Sequence, residues 1–159
     1  MTAASVPAPP SPRAAYPHLR LITTRWADND VYGHVNNVVY FSYFDTVVNQ
    51  YLIERGVLDI AGGAVIGLVV DNACRYFQPL QFPDLVHAGL AVERLGNSSV
   101  IYRIGLFRGE DPDPAAQGRF VHVYVDRESR RPVSLPPGLR RVLEPLSMNG
   151  AAGQTSRGL

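Results

Sequence analysis

With 159 residues, 46% of them apolar and 18% charged, the chain has the size and composition of one globular domain, not of a fibre or a disordered polymer. A net charge of +1, from 15 basic and 14 acidic residues, argues against a general electrostatic binder of nucleic acid. No apolar run approaches the roughly 20 residues of a membrane span. Every basic residue is arginine, which we attribute to coding bias, and the single Cys74 leaves no internal disulfide to form.

Residues 1–18 hold five prolines, five alanines and almost no bulky apolar side chains, so a flexible tail is expected there. The segment lacks the charged start and apolar run of a secretory signal. Residues 147–159 are small and polar and read as a second loose tail. The expected folded domain is therefore 19–146. It opens with a predicted strand over 19–27, followed by a polar stretch from Asp28 to His34 that breaks any regular pattern. A helix is expected over 37–55, capped at its start by Asn36 or Asn37 and at its end by Gly56. Tyr40, Phe44, Val47 and Tyr51 form one stripe on it, and Phe41, Val48 and Leu52 form the next. That spread predicts a helix buried on most sides.

Strands follow. They are expected over 65–77, with a break near Asp71 and Asn72, then over 86–95, 99–108 and 120–126, with a surface loop over 110–118. Gly96-Asn97 supplies a tight turn between the second and third of these, and 137–143 has the pattern of a short terminal helix. One strand, a long helix and about four strands joined by hairpins predict an α+β fold: an antiparallel sheet of about five strands with a single long helix packed on it. One helix leaves another sheet face or edge to be covered, so a homo-oligomer, dimer or tetramer, is expected.

The chemistry concentrates between Asp28 and Asn37, where two carboxylates, three amides, Gly33 and His34 lead into the helix. A helix start offers unpaired N–H groups and partial positive charge, which suit a developing oxyanion. A nearby carboxylate can act as general base or nucleophile, and Gly33 lets backbone approach a substrate. By residue type alone, the favoured reading is that Asp28 and Asp30 are turn and capping residues and His34 is packing.

The run Asp28-Asn29-Asp30-Val31-Tyr32-Gly33-His34-Val35-Asn36-Asn37-Val38-Val39-Tyr40 resembles the signature of the hotdog-fold acyl-CoA thioesterases, in the 4-hydroxybenzoyl-CoA thioesterase-like group. The resemblance continues through Tyr76-Phe77-Gln78-Pro79, Phe82-Pro83-Asp84-Leu85-Val86, Leu95-Gly96-Asn97, Val125-Asp126 and Arg131-Pro132-Val133, and spans about residues 20–143. It implies a sheet wrapped around the central helix, and hydrolysis of an acyl- or aryl-CoA thioester to free acid and CoA. It implies Asp30 as the catalytic carboxylate and the backbone N–H of Asn37 as the donor to the thioester carbonyl, with His34 beside them. Gly33 and Asn36 fall in the substrate-binding part of the motif, and Asp28 supports the turn. No cofactor is implied beyond coenzyme A as part of the substrate. The resemblance further implies a site between two subunits and a cytoplasmic protein, whose thioester partner is acyl-CoA or an acyl-carrier protein.

Tyr40, Phe44, Tyr76 and Phe77 are candidate walls of the acyl pocket, and plain core packing is the competing reading of each. Arg127, Arg130 and Arg131 form the one tight basic cluster and are candidates for the phosphates of CoA, with a solvated turn as the competing reading. The four histidines and the lone cysteine lack metal-ligand spacing, and no Gly-x-Ser-x-Gly elbow is present. Two other functions compete. A hotdog enoyl-CoA hydratase resembles Asp-x-Asn-Pro-x-His, which this chain lacks, and a non-catalytic module would bind acyl-CoA or a carrier protein without turnover.

Overall fold

The computed structural model describes residues 6–148. Strand β1 (His18–Thr23) is followed by a short 3-10 turn, helix α1 (Asn37–Glu54), strands β2 (Val65–Tyr76), β3 (Leu85–Leu95), β4 (Ser99–Arg108) and β5 (Ala116–Asp126), and helix α2 (Pro137–Leu143). The strands form one sheet in the order β1-β3-β4-β5-β2, and every neighbouring pair is antiparallel. The turn after Leu95 and the short loop after Arg108 make β3, β4 and β5 consecutive hairpins, while β2 crosses over to the far edge. The break expected in β2 is a register shift between Val69 and Asp71.

Helix α1 starts where its capping chemistry says it should. Asn36 is the N-cap, and its side-chain oxygen accepts from the Val38 N–H at 3.1 Å. Gly56 follows the C-terminal end. Tyr40, Tyr43, Phe44, Val47, Val48, Tyr51 and Leu52 bury against Val86, Ala88 and Leu90 of β3, Tyr102 and Ile104 of β4, and Phe120 of β5. The sheet reaches only one broad face, however. Val38, Ser42, Asp45 and Thr46 stay exposed, which corrects the expectation of a helix buried on most sides. Gly118 of β5 makes the close approach possible: a Cβ there would stand 2.3 Å from the Phe44 ring.

The amino-terminal segment also departs from expectation. Residues 6–17 run across the opposite face of the sheet, and Tyr16, only 5% exposed, meets Phe107 edge-on at 5.6 Å. The Arg13 N–H donates to Pro112 O at 2.8 Å, and the Ser11 N–H to Gln117 Oε1 at 2.7 Å. Pattern reading treats a Pro/Ala-rich stretch as unable to bury surface, but a single aromatic residue suffices where the sheet leaves a hole over Ala91 and Phe107. At the other end Ser147 bridges to Val92 and Met148 packs against the Tyr16 cluster, so the expected loose tail does not begin at 147. Its remainder, 149–159, lies outside the described residues. The loop expected over 110–118 is shorter, because β5 begins at Ala116. The first strand stops at Thr23 and not at residue 27, where the chain turns to bury Asp28. Among the described residues no helix is long and apolar enough to cross a membrane.

Candidate active site

The polar segment folds into a compact turn because its own side chains bind its backbone. Asp28, fully buried, anchors it. One oxygen accepts from the Arg25 N–H at 2.9 Å and from the Tyr43 hydroxyl at 2.7 Å, and the other accepts from the Arg25 guanidinium at 2.9 and 3.0 Å. Burial pushes the Asp28 carboxyl up, but the Tyr43 and Arg25 hydrogen bonds outweigh it and hold the group below the ordinary carboxylate value. Asn29 ties the turn to the chain beyond β2, its Oδ1 accepting from the Phe82 N–H at 3.0 Å. The Val35 N–H donates to Leu80 O at 2.7 Å and the Asn36 N–H to Asp28 O at 2.9 Å, which delivers the chain to the helix start.

Asp30 sits on this frame with its side chain 19% exposed. Its Oδ1 accepts from the Tyr32 N–H at 2.9 Å, and Oδ2 lies 3.7 Å from His34 Nδ1. The turn that presents it closes on Gly33, whose φ of +84° is a left-handed conformation that side-chain-bearing residues resist. His34, with half of its side chain exposed, stacks against Tyr32.

A cavity of about 420 Å³ opens beside Asp30, walled by His34, Val35, Asn37, Tyr40, Tyr76 and the segment Phe77, Gln78 and Pro79. Asn37 is the first residue of α1, a position whose N–H has no acceptor within the helix. A carboxylate and the positive end of an 18-residue helix therefore share one cavity. Tyr40 and Tyr76 meet edge-on at 4.9 Å on its aromatic side. Burial, then the neighbouring Cys74, pushes the Tyr76 phenol up to about 12, so it stays protonated. Burial likewise pushes the Cys74 thiol up to about 11, which leaves no reactive thiolate near neutral pH. Among the described residues no group of three or more His, Cys, Asp or Glu side chains is placed to hold a metal ion.

The structure thus brings together Asp30, His34, Asn37, Tyr40 and Tyr76 of the residues singled out from sequence. Gly33 lines a second cleft on the other side of Asp30, with Trp26, Asn29 and Val31. Asn36 is the helix cap and not a wall. Phe44 is a correction: it is fully buried, packed between Gly118 and Phe120, because position 44 on α1 points to the middle of the sheet. The arginine cluster is a second correction. Val65 pairs with Asp126 and Tyr76 with Ala116, so within one chain Arg127, Arg130 and Arg131 lie at the far end of β2, roughly 36 Å from the Tyr76 end. Arg127 instead latches a loop, donating to Gly63 O at 2.5 Å and Ile60 O at 2.8 Å. Arg130 and Arg131 belong to the turn that follows β5, where the Arg130 N–H donates to Asp126 O. Sequence reasoning did not place Val35, Gln78 and Pro79 in the wall, although the aromatic-Gln-Pro run after β2 was a usable signal.

A five-stranded antiparallel sheet laid along one long helix, with a polar turn at the helix head, is the hotdog fold. A family model described as the thioesterase-like superfamily matches residues 24–143. The chain belongs to that superfamily. Among solved structures it is similar to the PA5185 protein of Pseudomonas aeruginosa strain PAO1, with 56% identity and a TM-score of 0.85, over 87% of this chain and 97% of that one. It is also similar to the PA2801 protein of Pseudomonas aeruginosa, with 31% identity and a TM-score of 0.74, over 79% and 97% of the two chains. Slr0204, a 1,4-dihydroxy-2-naphthoyl-CoA thioesterase from Synechocystis, shares the fold at 16% identity and a TM-score of 0.72, over 79% and 93%.

Proposed function

We propose that the protein hydrolyses an acyl- or aryl-CoA thioester to free acid and CoA at the Asp30 cavity, without a cofactor. The observation that carries this reading is the shared cavity: the Asp30 carboxylate and the Asn37 end of α1 line the same space. A thioester carbonyl placed against the Asn37 N–H has its developing oxyanion stabilised by that donor and by the helix dipole. Asp30 takes a proton from water, the resulting hydroxide attacks the carbonyl carbon, and the C–S bond breaks as the proton passes to the departing thiolate. Direct attack by the carboxylate is the alternative route: Asp30 forms a mixed anhydride with the acyl group as the thiolate leaves, and water then hydrolyses the anhydride to the free acid and the regenerated carboxylate. His34, 3.7 Å from Oδ2, positions the carboxylate. The aromatic wall of Tyr40, Tyr76 and Phe77 favours an apolar acyl group. Arg127, Arg130 and Arg131 reach CoA phosphates only from a neighbouring copy.

We also propose a homo-oligomer working in the cytoplasm. Supporting it, β2 is a 12-residue strand at the edge of the sheet, with Val69 and Val70 exposed along it. The test is a thiol-release screen over short, long, branched and aromatic acyl-CoA substrates and one acyl-carrier-protein thioester, run with the wild type, Asp30→Ala and Asp30→Asn. Release by the wild type and a loss of about a hundredfold or more in both variants supports the reading. Unchanged turnover in folded variants removes Asp30 from the mechanism, and binding without release in the wild type would make the protein a ligand-binding module.

A further inference from the structure

A further cavity of about 370 Å³ lies at the other end of β2, between the C-terminal half of α1, the loop that Arg127 latches, and the start of β2. Its walls are aliphatic where Leu52, Leu58, Ile60 and Ile66 line it, and its polar side chains are Asn49 of α1, His122 and Tyr124 of β5, and Arg127. That imidazole is only 4% exposed, and its Nε2 is sealed from solvent with no hydrogen-bond partner among the described residues. An unpaired N–H at that sealed nitrogen would be costly, which bears on where the ring carries its proton.

The ring's surroundings restrict what it can do. Phe120, Tyr102 and Tyr124 pack around it at centroid distances of 4.6, 5.2 and 6.3 Å, and the Tyr102 and Tyr124 hydroxyls bond each other at 3.0 Å instead of the histidine. Nδ1 faces Gly67 at the cavity wall, 3.4 Å from the point where a Cβ on that residue would stand. A sealed nitrogen is tolerated better as a bare lone pair than as an unpaired N–H, which leaves the ring proton on Nδ1 as a donor at the wall. Burial pushes the His122 pKa down to about 4, so at neutral pH the ring carries no charge. The Arg127 guanidinium at the rim is already committed to the Gly63 and Ile60 carbonyls.

From this geometry we infer that the cavity is a binding site for a molecule with an aryl or alkyl body and one acceptor oxygen, held by His122. A cavity of roughly 150 Å³ lined by aliphatic side chains admits benzene, so an aromatic ring with a one-carbon substituent fits this larger space. Within one chain the site is separate from the Asp30 cavity, and its test does not depend on thioester hydrolysis.

Benzyl alcohol and ethylbenzene, nearly equal in shape and differing in the oxygen, are the probes. Each is titrated into the full-length protein while the ring ¹⁵N resonances of His122 are followed by NMR. We expect saturable binding of benzyl alcohol, with displaced His122 ring resonances and an affinity about tenfold above that of ethylbenzene, the worth of one neutral hydrogen bond. His122→Phe, which removes the nitrogens and keeps an aromatic ring, should abolish that preference while ethylbenzene binding persists. Equal affinity for the two probes, or His122 resonances unmoved at the highest alcohol concentration, overturns the proposal and leaves His122 a core residue. The wild-type titration decides the matter even if the variant does not fold.

Discussion

The Tyr43 hydroxyl, nearly two helical turns inside α1, donates at 2.7 Å to the carboxylate of Asp28, fifteen residues earlier and closed to solvent. Through this bond the buried face of the helix holds the turn that presents Asp30. The residue at the cavity is thereby separated from the one that builds its platform: Asp28 is consumed by structure, while Asp30 keeps an edge toward the cavity.

Removing the hydroxyl tests that division. Tyr43→Phe leaves a buried carboxylate one donor short and should destabilise the fold by about 1.5–3 kcal/mol, measured by denaturant unfolding. The Asp28 pKa is depressed in the folded state, so its contribution is complete above the ordinary value of 3.8 and is lost as pH falls through the lower folded value. Acid unfolding of Asp28→Asn should therefore lack the part of the wild-type slope below about pH 4 that this carboxylate supplies.

A second window lies at milder acidity. His122 is neutral when folded, with its pKa pushed from 6.5 to about 4, so the unfolded chain binds more protons between those values. Stability should fall as pH drops from 6.5 toward 4. His18, lowered by burial and by Arg20 and Arg55, adds to the same slope in the same direction. His122→Phe should flatten the slope without abolishing it, as read from melting temperatures at half-unit pH steps.

Phe44 and Tyr76 should separate packing from substrate contact. Phe44→Ala opens a hole against Gly118 and Phe120 and should cost about 3–5 kcal/mol. Gly118→Ala, which drives a methyl to within 2.3 Å of the Phe44 ring, should cost about 1–3 kcal/mol or more. Tyr76→Ala, in contrast, should leave the melting temperature within a few degrees of wild type and raise KM for the preferred acyl-CoA.

Arg127→Ala removes the latch on residues 59–63, and should destabilise by about 1–3 kcal/mol and open that loop to limited proteolysis. Hydrogen exchange at Ala61 and Gly62 should rise, since their N–H groups rest on Asp59 Oδ1 in the same loop. A variant with wild-type stability and exchange would show that the carbonyl contacts add nothing.

Gly33→Ala isolates the backbone of the turn that carries Asp30. A Cβ there meets nothing within 4 Å, so the substitution should cost only the roughly 1–2 kcal/mol of a left-handed conformation. If that turn aims Asp30, thiol release should fall by more than this loss of stability explains.

The local elements and the polar turn before α1 were legible in the amino-acid order. Asn36 capping α1, Gly56 ending it, Gly96-Asn97 turning β3 into β4, and the carboxylate-rich turn before the helix are set by contacts a few residues long, which pattern and propensity record. Only the tertiary structure decided membership of the cavity. Pairing of β2 with β5 joins residues about 40–60 apart in the chain, so it placed Tyr76 and Pro79 beside Asp30, sent Phe44 into the core and carried Arg127 to the opposite end. The fate of Tyr16 was likewise decided from afar, by a hole over Phe107 that exists only once β3 and β4 have paired. Burial is a property of what arrives from elsewhere in the chain, and no local run of residues carries it.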